Sequence, residues 1–364
     1  MHSPFLYDSI AKGKNFFGRE EEMQFLDKIA SYSNNALIYS KRRMGKTALI
    51  ENFLDLMEKD FICLYADIFD IASKEDFAKT LLKALSNYQK GDIKTAIKKL
   101  TNLFKRVRVE PTIDPNTLEY SIKPIVITLS FEEMMDDFFS AINTLSQNKK
   151  IIIAIDEFQQ ISTIKDVKID AMLRKYIQER ENISYLFLGS KRHTLTSLFS
   201  YKAPLYEMAT HFELRALKVE DIFNYSKKYL NITKDDIEYI FSLSDGETKL
   251  ILHILHLLYI QKEKIAKTLI DSALKEILNS KDATFRMLFD TLNNNQKRAL
   301  KIIGKYKHKI FTSEVLNEYD IKKQTLQSAV ESLLKKELID KEDGDYFIPD
   351  RSFELWCQNI ALRK

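Results

Sequence analysis

Glycine is scarce in this chain: 8 in 364 residues is under a third of the usage of roughly 7% seen in most proteins. Each glycine is therefore expected to answer a local need. Cysteine is scarcer still. Cys63 and Cys357 stand far apart, with no Cys-x-x-Cys and no Cys/His cluster, which excludes a disulfide framework and a zinc site and points to a reducing cytoplasm. No window approaches 18 uncharged apolar residues, and the nearest, Leu250 to Ile260, is short and contains His253 and His256. Residues Met1 to Lys14 also lack the apolar stretch of a secretory signal, so no membrane partner is expected. A large charge excess is missing too. Lys and Arg number 56 against 52 Asp and Glu, a formal +4, with both signs interspersed, so net charge alone names no nucleic-acid partner. What is present is apolar material: 45% hydrophobic residues are too many for a disordered chain, and the length suits two or three domains.

Periodicity organises the chain into alternating strands and helices. Met23, Leu26, Ile29 and Ala30 recur at helical spacing after Gly18-Arg19-Glu20, and Ala36 to Tyr39 is a short apolar strand. A polar loop follows, then a helix whose apolar residues are Leu49, Ile50, Phe53, Leu54 and Met57. Phe61 to Phe69 predicts a second strand and Phe77 to Leu85 a second helix. Residues 90–123 break the rhythm: a basic amphipathic helix over Lys94 to Lys105, then alternation around Asp114-Pro115-Asn116-Thr117 that predicts a β-hairpin, read as an insertion. Phe131 to Leu145 and Ala171 to Glu179 predict helices. Ile151 to Ile155 and Ile183 to Leu188 are continuous aliphatic runs, the mark of strands buried on both faces of a parallel sheet. The predicted class is α/β, a doubly wound parallel sheet with an insertion, over residues 1–216. Helices alone follow over 217–283, a small helical domain. Over 284–364, three helices and the strands Leu338 to Asp340 and Tyr346 to Ile348 predict a winged helix.

The chemistry is carried by Ser40-Lys41-Arg42-Arg43-Met44-Gly45-Lys46-Thr47-Ala48, which follows a strand and opens a helix as the phosphate-binding pattern G-x-x-x-x-G-K-[ST] does, with Ser40 at its first position. Backbone N–H groups from Arg42 to Ala48 would wrap the phosphates, Lys46 would reach the β- and γ-phosphates, and the Thr47 hydroxyl would meet Mg²⁺. The strand Ile151 to Ile155 ends in Asp156-Glu157. There Asp156 would help hold Mg²⁺ and Glu157 would polarise the attacking water. The next strand ends Leu188-Gly189-Ser190-Lys191-Arg192, where Ser190, and after it Arg192, are the candidates to sense a γ-phosphate, unless Lys191 and Arg192 are a solvated loop. Gly18 and Arg19 either border the base, with Phe16 or Phe17 stacking, or simply lead into the first helix.

Taken in order, Phe17-Gly18-Arg19-Glu20-Glu21-Glu22, the loop ending Gly45-Lys46-Thr47, Ile155-Asp156-Glu157-Phe158-Gln159 and Gly189-Ser190 resemble the archaeal-type AAA+ ATPases. That family is similar to origin-recognition initiators and to signal-transduction ATPases with numerous domains. The resemblance spans about residues 15–250 and implies ATP rather than GTP, Mg²⁺, a lid after the sheet and nucleotide-driven rearrangement. Where many relatives have Gly-x-Pro, this chain has Gly246-Glu247-Thr248; Arg192 and Arg215 are the candidates for the family's lid arginine or arginine finger. Three functions remain open: an ATP hydrolase, a nucleotide switch holding ATP or ADP and acting through protein partners or its own oligomer, and a winged-helix DNA-binding regulator. For duplex DNA the candidate contacts are Lys322, Lys323 and Gln324 at the start of the third helix of the winged module. The acidic wing tip Glu342-Asp343-Gly344-Asp345 opposes a phosphate backbone, so protein docking is the other reading. The basic stretch Lys94 to Arg108 fits an acidic partner or a solvated face.

Overall fold

A computed structural model describes residues 3–88, 104–113, 120–125, 129–178, 181–306, 308–342 and 344–362. Two compact units emerge, each with its own apolar core.

The sheet unit comprises Glu20–Ser40 and Lys46–Leu214. Its strands are β1 (Ala36–Tyr39), β2 (Ile62–Asp67), β5 (Ile151–Asp156), β6 (Ile183–Gly189) and β7 (Thr210–Glu213), all parallel in the order β2-β5-β6-β1-β7. Every residue of β5 and β6 is buried, which is why both read as unbroken aliphatic runs rather than alternating ones. The helices α1 (Glu20–Ser31), α2 (Lys46–Met57), α3 (Lys74–Asn87), α4 (Phe131–Ser146), α5 (Ile169–Gln178) and α6 (Arg192–Ser197) complete the α/β pattern. Local sequence sets their ends. Ser73 accepts a hydrogen bond from Asp76 N to cap α3, and Ser130 with Glu133 forms a reciprocal capping box on α4. Within the interrupted region, β3 (Arg108–Ile113) and β4 (Tyr120–Ile125) pair antiparallel, Arg108 opposite Ile125. The buried Asp137 holds the approach to this hairpin, its Oδ2 accepting from Arg106 N at 2.6 Å and Val107 N at 2.8 Å. The turn at Asp114 to Thr117 and nearly all of the predicted basic helix lie outside the described residues.

The helical unit comprises Met1–Arg19, Lys41–Gly45 and Arg215–Lys364. It takes in an N-terminal segment and a five-residue loop that the linear domain division places with the sheet. Phe5 explains part of this, because it is fully buried and edge-on to Tyr225 and Tyr259. The helices are α7 (Val219–Ser226), α8 (Lys234–Ser244), α9 (Thr248–Gln261), α10 (Lys267–Ser280) and α11 (Asp282–Asp290). Then come α12 (Asn294–Tyr306), α13 (Ser313–Glu318) and α14 (Lys323–Lys335), the hairpin β8 (Asp340–Glu342) and β9 (Asp345–Phe347), and α15 (Arg351–Leu362). Gln296 is buried and locks the start of α12: its backbone N–H and side-chain oxygen exchange bonds with Asn293, and its amide reaches Ser332 on α14. Trp356 packs against Phe353 and Phe285 and donates to Asp282 at 2.8 Å, a core role as its place in the last helix suggests. Among the described residues no helix is long and apolar enough to cross a membrane.

Candidate functional site

In the sheet unit, β1 and β5 flank β6 on either side, so the chain leaving each strand converges at the carboxyl edge of the parallel sheet. Lys46, the first residue of α2, is 7% exposed although it carries a charge. Its Nζ lies 2.5 Å from Asp156 Oδ1 and 3.3 Å from Glu157 Oε1. Thr47 Oγ1 donates to Asp156 Oδ2 at 3.1 Å, and Tyr65 of β2 donates its phenol to the same oxygen at 3.0 Å. Glu157 N closes the set on Asp156 Oδ1 at 2.8 Å. Burial pushes the Asp156 carboxyl up, but the Lys46 charge and hydrogen bond, the Glu157 N–H and the Tyr65 hydroxyl outweigh it and hold the group below the ordinary carboxylate range. Tyr65 responds in the opposite sense, its phenol pushed upward by burial and then by Asp156. Asp67, opposite Asp156 in the strand register, is raised chiefly by burial.

Glu157 turns the chain with a left-handed φ of 54° into the 3-10 turn Phe158–Thr163. Its Oε2 accepts from Ser190 Oγ at 3.2 Å and from the Gln159 side-chain amide. Lys46, Thr47, Asp156, Glu157 and Ser190, named separately from the sequence, thus share one hydrogen-bonded cluster. Ser40 lies at the end of β1, its N–H directed to Gly189 O at 3.4 Å. Arg192 stands over the Tyr39 ring at 5.2 Å and 3.7 Å from Glu213. Sequence reasoning does not mark Tyr65, and it quotes Gln159 only within the resembling motif, with no role. Tyr65 carries a faint signal, since it is two residues before the strand-end Asp67 and so shares its face.

In the helical unit, the loop Lys41–Gly45 is held by its carbonyls. Met44 O accepts from Arg19 Nη2 at 2.9 Å and from Thr248 Oγ1 at 3.3 Å, and Arg43 O from Lys249 N at 3.2 Å. Arg19 is 4% exposed and also donates to Arg215 O at 2.8 Å, so it braces backbone. Phe17 is stacked on Tyr225 at 3.9 Å, a face already taken. Gly45 has φ 90° with open space where a Cβ would stand, so backbone conformation and not packing demands glycine there. The loop's cations point elsewhere: Arg43 Nη1 to Asp350 at 2.7 Å and Glu247 at 3.8 Å, Arg42 to Glu337 at 3.0 Å, Lys41 to Asp245 at 3.5 Å. Lys41 and Arg42 line a cavity of about 270 Å³ together with Tyr346, Phe347 and Arg351. Glu247 is buried, and burial, only partly offset by Arg43 and reinforced by Asp350, pushes its carboxyl up to about 7. Lys322, Lys323 and Gln324 are exposed at the start of α14.

A family model described as an ATPase domain predominantly from Archaea matches residues 16–254. The chain belongs to this ATPase family. A second model, described as a probable winged helix domain, matches residues 283–359. An ATP-binding protein of Methanocaldococcus jannaschii is 20% identical over 94% of this chain and 97% of its own length. Among solved structures, a Walker-type ATPase of Pyrococcus abyssi superposes with a TM-score of 0.65 at 18% identity, covering 98% of this chain and all of that one. The Aeropyrum pernix ORC2 protein, solved with ADPNP and ADP, gives 0.56 at 13% identity over 99% and 98% of the two chains. The ORC1 protein of the same organism, solved in complex with DNA, gives 0.53 at 13% over 99% and 97%. At these identities the structural likeness speaks for the fold: a P-loop NTPase sheet with a C-terminal winged helix domain. The donor set would suit a hard divalent cation such as Mg²⁺. Thr47 Oγ1 and the Asp156 carboxylate are hard oxygen donors lying together, few enough to leave positions for water and phosphate oxygens on such a cation.

Proposed function

We propose that this chain is an AAA+-type ATPase that hydrolyses ATP to ADP and phosphate at the Lys46–Thr47–Asp156–Glu157 cluster. One observation carries the reading: a nearly buried lysine at the start of a helix meets two carboxylates at a strand end, and the neighbouring threonine hydroxyl bonds one of them. The motif Ser40 to Thr47 then acts as a Walker A loop and Asp156-Glu157 as its Walker B partner. When ATP binds, Lys46 exchanges its carboxylate partners for the β- and γ-phosphates, and backbone N–H groups at the start of α2 face the same anion. Thr47 and Asp156 would hold Mg²⁺, which would supply positive charge to offset the charge developing on the phosphates. Glu157 orients a water on the γ-phosphorus and accepts its proton. The new bond joins water oxygen to phosphorus, the bond to the β,γ-bridging oxygen breaks, and ADP departs with that electron pair. Ser190, which donates to Glu157, is the candidate to sense the γ-phosphate; Arg192, paired with Glu213, is left without a step.

Nucleotide-driven rearrangement of the lid and winged helix belongs to the same proposal. Its support is that Lys41, Arg42 and Arg43, inside the phosphate-binding motif, pair with Asp245 and Glu247 at the start of the lid's long helix and with Glu337 and Asp350 around the wing. Contact with duplex DNA is a second reading, favoured by the exposed Lys322, Lys323 and Gln324 at the N-terminus of α14. The deciding experiment is Mg²⁺-dependent ATP turnover by the wild type, Lys46→Ala and Glu157→Gln, with and without duplex DNA. The expected result is loss of turnover in both variants, with ATP retained by Glu157→Gln. Undiminished turnover in both variants refutes the site; absent turnover with nucleotide held through purification points instead to a switch.

A further inference from the structure

Glu157 presents two chemically different oxygens. Oε2 accepts from two neutral donors, Ser190 Oγ at 3.2 Å and the Gln159 amide, whereas Oε1 meets Lys46 Nζ at 3.3 Å. Lys46 is the group that the hydrolytic reading sends to the phosphates, so its departure bares Oε1 while Oε2 stays anchored. Gln159 is 3% exposed, and its own Oε1 has no hydrogen-bond partner among the described residues. A buried carbonyl oxygen left unpaired is a cost that packing alone does not justify.

Gly189 supplies the second half of the argument. Its φ is not among the positive ones, so its backbone conformation admits any residue. Yet a Cβ there would overlap Gln159 Oε1 and stand only 3.0 Å from Leu195 Cδ2. In a chain this poor in glycine, the position is explained by the room that the Gln159 side chain needs to reach back to Glu157.

We infer that Gln159 is a positioning residue, which with Gly189 as its clearance fixes the Glu157 carboxylate so that Oε1 faces the attacking water once Lys46 has moved. This inference rests on the hydrolytic reading above, in which Oε1 takes the proton of the water that attacks the γ-phosphorus.

The test compares Gln159→Met, which keeps length and loses the amide, with Gly189→Ala, which keeps the amide and removes its room. Steady-state kinetics and ATP binding by equilibrium titration are measured on full-length protein. Expected are a fall in kcat of roughly 10- to 100-fold in each variant, as for a misplaced catalytic group, with KM and the ATP Kd within about twofold of wild type. In a Glu157→Gln background neither substitution lowers single-turnover hydrolysis further, because they act through the same carboxylate. Wild-type kcat in Gln159→Met, or an equal additional loss in the Glu157→Gln background, overturns the inference. If Gln159→Met does not fold, Gly189→Ala decides by the same criteria. Full turnover in Glu157→Gln instead refutes the hydrolytic reading itself, so the two failures are distinguishable.

Discussion

Replacing Lys46 by Met removes one half of a buried ion pair while keeping most of its packing. In the nucleotide-free protein this leaves Asp156, 3% exposed, with its hydrogen bonds from Thr47, Tyr65 and Glu157 N–H but without a cation. Stranding a buried charge in this way costs about 3–5 kcal/mol, which for a unit of this size lowers Tm by about 6–20 °C. The loss therefore precedes any effect on ATP binding, and thermal melts without nucleotide read it directly. Its pH dependence follows from the sign of the shift. In the wild type the Asp156 carboxyl lies below its ordinary value of 3.8, so the stability it contributes is present above that value and is lost only as pH falls through the lower folded-state value. Without Lys46 the leading influence is burial, which raises the group. The variant therefore takes up a proton on Asp156 at higher pH than the wild type does, and the gap to wild type narrows as pH falls. Lys46→Met combined with Asp156→Asn removes both charges and should recover most of the loss. A single variant melting within about 2 °C of wild type, or a double variant no better than the single, would refute the reasoning.

Tyr65→Phe deletes one hydrogen bond to an ionised acceptor and should cost about 1.5–3 kcal/mol at neutral pH in urea titrations, with a smaller difference once Asp156 is protonated. Glu247 ionises at about 7 in the fold against 4.5 when exposed. The folded state therefore holds the extra proton between those values, and stability attributable to this group falls as pH rises from 4.5 to about 7, by about 3 kcal/mol, and is flat above. Glu247→Gln should flatten that slope in pH-dependent denaturation; an unchanged slope counts against it. If the winged helix meets duplex DNA, Lys322→Ala and Lys323→Ala each weaken binding and reduce the salt slope by about 0.9; identical binding isotherms at low salt would exclude that surface.

The parts of the site that were legible from sequence are those written in local code. A strand buried on both faces cannot hide its aliphatic run, so Ile151 to Ile155 and the carboxylates after it stood out, and a helix opening with Gly45-Lys46-Thr47 did the same. Strand β7 escaped notice because it is an edge strand of four residues, Thr210 to Glu213, none of them buried; without a buried face there is no hydrophobic pattern to read. Helix α11 was missed for the same reason, since Phe285 is its one buried residue. Tyr65 and Gln159 belong to another class. Each is an unremarkable residue in its own segment, and its role comes from the pairing of β2 with β5 and from the backward turn at Glu157. The partners of Lys41, Arg42 and Arg43 lie some 200 to 300 positions downstream, beyond the reach of any spacing rule.

The strand order has a consequence for how the chain is made. The first strand, β1, finds its neighbours in β6 and β7, the last two. At roughly 5–20 residues per second, a ribosome needs about 9–35 s to pass from the end of β1 to the end of β7. For most of that interval, until β6 is complete at Gly189, Ala36 to Tyr39 has neither parallel partner, and the helix beginning at Lys46 has no Asp156 to neutralise for most of it. Nascent chains shorter than about the first 190 residues thus present an unpaired apolar strand, and neither the cluster nor the nucleotide it is proposed to take can stabilise them. Protection during synthesis must come from the exit tunnel, a chaperone or speed, and the sheet closes around its first strand only when nearly all of its sequence has been delivered.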